Sequence, residues 1–139
     1  YWPNVIKANT MTNQVGHIID LLPTLLDIVD IPYPKTRNGI SILPMEGLSL
    51  LPILQGKQRT GHQALYWHFS GNRAIRQTKW KLVWDKSFKQ WELYDLITDR
   101  TESYNLAASY PNRVKQMQTL YHTWAILTGT ETSVPTKLK

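Results

Sequence analysis

The stretch from Ala64 to Asp95 constrains the fold most, because there the hydrophobic pattern runs with a period of two and is cut into short pieces by turn residues. Residues 64–68 and 72–76 read as strands separated by Ser70-Gly71. Residues 79–85 read as a third, with Trp80, Leu82 and Trp84 on one face and Lys81 and Asp85 off it. A hairpin around Gln77-Thr78 joins the second and third. After the polar Lys86-Ser87-Phe88-Lys89 turn, residues 91–95 make a fourth strand. Connections this short fit antiparallel pairing, since parallel strands need long crossovers. One face of such a sheet needs a cover. Val114, Met117, Leu120, Tyr121 and Trp124 fall on one helical stripe that can supply it.

Upstream the period is helical. Ile18, Leu22, Leu25, Leu26 and Val29 share a face over residues 17–29, with Asp20 as the expected N-cap and Pro23 in the first turn. That helix should stop near Asp30, before Pro32 and Pro34. Residues 31–63, punctuated by Pro32, Pro34, Pro44, Pro52, Gly39, Gly47, Gly56 and Gly61, read as a long connection. It holds one helical turn at Ser49–Leu54, ended by Gly56. A helix on so long a leash is expected to pack against another domain rather than back on this sheet. The expected fold class is α+β: a small four-stranded antiparallel sheet with a C-terminal helix, plus an N-terminal helical segment whose partner domain is missing. The expected boundaries are 1–56, 57–128 and a loose tail at 129–139. The Tyr1-Trp2-Pro3 start adds the expectation that the chain is a piece of something longer.

The net charge of +6 is concentrated. Lys57, Arg59, Arg73, Arg76, Lys79, Lys81, Lys86 and Lys89 face a single acid, Asp85, with Trp67, Trp80 and Trp84 among them. This mixture suits a solvated hairpin whose tryptophans face the core. It also suits a polyanion surface for nucleic acid or for a sulfated or phosphorylated molecule. With no cysteine, the chain can form neither disulfides nor thiolate metal sites. No apolar run approaches the ~20 residues that span a bilayer.

Three stretches line up with a known family. They are residues 2–28, from Trp2-Pro3-Asn4 to His17-Ile18-Ile19-Asp20-Leu21-Leu22-Pro23-Thr24-Leu25-Leu26-Asp27-Ile28; residues 46–56, with Gly47-Leu48-Ser49-Leu50-Leu51-Pro52; and residues 72–83 continuing to 91–107, which end in Asn105-Leu106-Ala107. In order and spacing they resemble the C-terminal third of the type I sulfatases, arylsulfatase-like hydrolases of the alkaline-phosphatase superfamily. Arg100, Asp30 and Glu46 stand where that family usually has proline, glycine and aspartate.

The resemblance implies a two-domain hydrolase of sulfate esters. Residues 1–56 would be the tail of its large α/β domain and residues 57–128 its C-terminal subdomain. Calcium and a formylglycine nucleophile would belong to the missing N-terminal catalytic domain, so this part alone would be inactive and would help form the substrate pocket. A sulfated small molecule or glycan is the implied substrate, and the implied location is periplasmic or secreted. Neither nucleic acid nor a membrane is the expected partner. Self-association is expected where Leu22, Leu25 and Leu26 lack their cover. A phosphonate or phosphate-ester hydrolase of the same superfamily and a free-standing polyanion-binding module are the rival readings.

Ser109-Tyr110-Pro111-Asn112-Arg113 satisfies the family's nucleophile pattern Ser-x-Pro-x-Arg, yet it follows Asn105-Leu106-Ala107 and has Gln118 and Thr119 where the motif's Leu-Thr continuation belongs. The reading adopted is a helix start, with Ser109 or Tyr110 as cap, Pro111 in the first turn and Arg113 on the surface. Asp95, Asp99 and Glu102 lack the spacing of a calcium loop and read as turn closers. His17 is expected at a helix entry, His62 in a loop and His122 facing water. His68 differs: in His68-Phe69-Ser70-Gly71-Asn72-Arg73-Ala74 it ends one strand as a basic strand begins. By the resemblance, His68 and Arg73 would contact the sulfated substrate and Asn72 would orient His68 or shape the turn.

Overall fold

The structure, a computed structural model, describes residues 2–131. They form two compact units that divide between His62 and Gln63.

In the first unit a 3-10 turn at Ile18–Asp20 runs into helix α1, Leu21–Ile28. Asp20 stands at the N-cap position of α1, and His17 caps the 3-10 turn before it: the His17 ring accepts from the Ile19 N–H, and the Asp20 carboxylate accepts the His17 N–H at 3.0 Å in return. Asp20 already has helical backbone angles and gives α1 no side-chain cap, because its carboxylate is buried among partners far along the chain. The helix ends where Pro32 and Pro34 predict. The Ile31 N–H reaches back to the Leu26 carbonyl and the Asp30 N–H to that of Asp27, a Schellman closure with Asp30 at φ +55°. The connection is less featureless than its prolines suggest. Strands β1 (Thr36–Arg37) and β2 (Ile40–Ser41) make a small hairpin around Asn38 and Gly39, both at positive φ. Helix α2, Leu51–Leu54, lies inside the expected turn and is followed by Gly56 at φ +76°.

The second unit is the predicted meander. Strands β3 (Leu65–Phe69), β4 (Asn72–Gln77), β5 (Trp80–Asp85) and β6 (Gln90–Asp95) pair antiparallel in chain order, so the α+β class holds. Ser70 and Gly71, both at positive φ, make the two-residue β3–β4 loop; the β4–β5 loop is Thr78-Lys79, one residue later than expected. Helix α3, Pro111–Leu127, covers one face. Ile75, Leu82 and Leu93 from the sheet meet Met117, Tyr121 and Ala125 from α3, all fully buried. The isoleucine, leucine and methionine side chains each contribute roughly 1.5–3 kcal/mol by leaving water.

The buried stripe of α3 is wider than the sequence suggests. His122, expected to face water, is only 4% exposed, and Gln118 one turn before it is also buried. The expected loose tail begins otherwise: Glu131 returns its N–H to the Ala125 carbonyl and its carboxylate to His122 and Arg73. Residues 132–139 of that tail lie outside the described residues.

Candidate functional site

The register of the sheet brings the sequence-predicted residues together. His68 lies directly across from Arg73, Arg73 from Trp84, and Trp84 from Trp91, one row over all four strands. Alternation puts this row on the face that α3 covers, as Tyr66, two residues before His68, stacks flat on Trp124 at 4.9 Å. Over the row sit Tyr121 and His122 of α3, and Glu131 beyond its end. Trp91 meets both ring systems edge-on, and the Trp84 ring lies 5.7 Å from the Arg73 guanidinium carbon.

Each polar member of the row is anchored. The His68 Nδ1 is 2.7 Å from the Tyr121 hydroxyl. Tyr121 is fully buried, and that burial, reinforced by the Glu131 charge, pushes its phenol up to about 12, so it stays protonated. Arg73 Nε and Glu131 Oε1 are 2.7 Å apart and buried, yet not aligned as a hydrogen bond, so charge attraction carries the contact. The other Glu131 oxygen is 3.1 Å from His122 Nδ1. Among the described residues no hydrogen bond joins Asn72 to His68. The Asn72 Oδ1 accepts the Lys86 N–H at 3.1 Å, and the Lys86 ammonium reaches Ser70 Oγ at 3.4 Å, tying the β3–β4 loop to the β5–β6 loop. Tyr121, His122 and Glu131 were not foreseen as site residues; only the stripe position of Tyr121 was visible in the sequence.

A second polar centre lies within the first unit. Asp20, with no exposed surface, accepts four donors: Leu48 N–H (2.8 Å) and His62 Nε2 (2.7 Å) at Oδ1, and His17 N–H (3.0 Å) and Arg59 Nη2 (2.9 Å) at Oδ2. Arg59 also holds the carbonyls of Val15, Leu48 and Ser49. Every accessible valence of the carboxylate is taken, so this is a clasp for three chain segments, and His62 is part of it rather than a free loop residue. Gly47 makes the approach possible: a Cβ there would lie 2.0 Å from the Ile19 carbonyl oxygen.

The remaining candidates resolve into structure. Pro111 opens α3 with Tyr110 at the N-cap position, though no side chain caps it; Arg113 bonds Gln116 and lies 6.0 Å from the Trp80 ring centroid. Asp99 accepts the N–H groups of Ser103 and Tyr104, and these bonds hold its carboxyl below the usual range. Asp95 pairs with Lys79, the main cause of its lowered pKa, and accepts the Ile97 N–H. Glu102 pairs with Lys81. Among the described residues no three acidic or histidine side chains group as metal ligands, so the residues present do not fit a calcium site. Of the eight clustered cations, Arg59, Arg73, Lys79 and Lys81 are spent on internal pairs.

A family described as N-sulphoglucosamine sulphohydrolase, C-terminal, matches residues 1–124. The chain belongs to this sulfatase family. It is 27% identical over 138 residues to an uncharacterized sulfatase of Schizosaccharomyces pombe, covering 95% of this chain and 25% of that protein. To an ulvan-active sulfatase of Formosa agariphila it is 29% identical over 146 residues, covering 78% of this chain and 28% of that one. Among solved structures it is similar to BT1596, a 2-O GAG sulfatase, with a TM-score of 0.60 and 26% identity over 79% of this chain and 24% of that one. This sulfatase chain thus corresponds to the C-terminal part of sulfuric ester hydrolases and spans about a quarter of the length of the relatives it matches. No helix among its described residues is long and apolar enough to cross a membrane.

Proposed function

We propose that this chain is the C-terminal part of an enzyme that hydrolyses sulfate esters on a glycan, and that the strand ends around the β3–β4 loop form one wall of its substrate pocket. His68 and Arg73 are the contacts in this reading, and Asn72 fixes the loop that carries them. The observation that carries it is their direct cross-strand pairing, in a chain of this family, with anchors that use only one nitrogen of each. The names of the ulvan-active and 2-O GAG relatives support a sulfated polysaccharide as the substrate class.

An imidazole N–H and a guanidinium suit a sulfate ester, whose oxygens take charge-assisted hydrogen bonds. Nucleophile and calcium belong, in this proposal, to a catalytic domain outside these residues, and a periplasmic or secreted location goes with them. The exposed Ile18, Leu22 and Leu25 of the first unit are where that domain would pack.

The test is sulfate release from a sulfated oligosaccharide by the enzyme carrying this chain. Arg73→Ala and His68→Ala should each raise KM about tenfold or more, a loss of roughly 1.4 kcal/mol, with a smaller effect on kcat. An unchanged KM in both would remove them from the pocket. A full-length enzyme that releases phosphate but never sulfate would replace the reading with the phosphate-ester one.

A further inference from the structure

Arg73 and His68 are held in the same manner. Glu131 takes the guanidinium by Nε, the nitrogen nearest the backbone, and Tyr121 takes the imidazole by Nδ1, again the nearer one. Among the described residues no partner meets the terminal nitrogens of Arg73 or the Nε2 of His68. The hydrogen-bond roles of the His68 ring follow from its anchor. The Tyr121 hydroxyl is buried and protonated, and Nδ1 is the acceptor within its reach; if Nδ1 carried the proton, the hydroxyl hydrogen would be stranded. So Tyr121 donates to Nδ1, which leaves Nε2 as the ring N–H. The result is one N–H from His68, on the residue that pairs across the strands with Arg73.

Arg73 itself is confined from two sides. Its guanidinium lies against the Trp84 ring, and Glu131 is fixed in turn by His122 through its other oxygen. A carboxylate that approached the terminal fork would compete with a bound anion. This one approaches Nε instead.

We propose that Glu131 and Tyr121 are positioning residues for an anion clamp, Glu131 for Arg73 and Tyr121 for His68, which together offer their outer N–H groups to the oxygens of a sulfate ester. This rests on the reading of His68 and Arg73 as substrate contacts, and the experiment separates the two. The enzyme carrying this chain is titrated with sodium sulfate and with glucosamine 6-sulfate at constant ionic strength, while NMR follows the Arg73 Nε–H and the His68 ring nitrogens. The unaltered chain should show saturable shifts at both residues, lost in Arg73→Ala and His68→Ala. Glu131→Gln should weaken binding about tenfold and Tyr121→Phe severalfold, with the methyl resonances of Ile75 and Leu82 reporting an intact core.

Glu131→Asp keeps the charge and loses the reach. It should weaken binding as Glu131→Gln does if position is what matters. Unchanged affinity in Glu131→Gln and Tyr121→Phe overturns the positioning role while leaving the contacts in place. Tighter binding in Glu131→Gln overturns it too, because Glu131 would then be a competitor. Absence of saturable shifts in the unaltered chain removes the contacts themselves, and the clamp with them.

Discussion

Replacing Asp20 by Asn tests whether the first unit is held by its buried carboxylate. Asp20 offers two oxygens to four donors, two at each oxygen, at 2.7–3.0 Å. Asn keeps the shape but turns one oxygen into an NH2, so two of those donors would face another donor. Removing one partner of a buried charge pair costs about 3–5 kcal/mol, and the 6% exposure of the Arg59 side chain puts this pair in that class. Native-state hydrogen exchange at the Leu48 and His17 amides reads the effect directly, because both N–H groups end on Asp20. Their protection should fall at least a hundredfold, which is about 2.7 kcal/mol.

The same clasp has a pH signature. Burial pushes the Asp20 carboxyl up, but the Leu48 N–H, Arg59, His62 and the His17 N–H outweigh it and hold it at about 2. A folded value below the unfolded one, near 3.8, means the stabilisation is complete above pH ~4 and is lost as pH falls through about 2. The size is roughly 2 kcal/mol. A less than threefold change in Leu48 protection on Asp20→Asn, with no acid dependence between pH 4 and 2, would refute the reasoning.

Two further substitutions probe the same unit. Gly47→Ala places a methyl 2.0 Å from the Ile19 carbonyl oxygen, so it should cost about 2–3 kcal/mol, read as lost Leu48 protection. Asp30→Gly should relieve the left-handed backbone at φ +55°, raising stability by up to about 1 kcal/mol and the melting temperature by a few degrees; a fall would show that the Asp30 side chain holds something.

What was legible in the sequence follows from range. The strands declared themselves because alternation and the Ser70-Gly71 loop are properties of neighbours. The Asn38-Gly39 hairpin carries the same kind of signal, masked by the prolines that surround it. Asp20 read as a cap because its local pattern is that of a cap, whereas its partners Leu48, Arg59 and His62 lie 28, 39 and 42 residues on. Nothing in a single sequence pairs residues at such separations.

His122 shows a different limit. A helix against a four-stranded sheet can bury more than one seam, and positions 118, 122 and 125 flank 117 and 121 closely enough to go under together. A polar residue beside an apolar stripe is therefore either wet or paired, and the partner decides which. For His122 the partner is Glu131, the lone acid in a threonine-rich tail that composition marks as loose. The row His68–Arg73–Trp84–Trp91 could be read from strand register, but its anchors came from the helix and from the residue beyond it. Local sequence could nominate the groups of such a row, while their hydrogen bonding and aim depend on contacts from outside the strands.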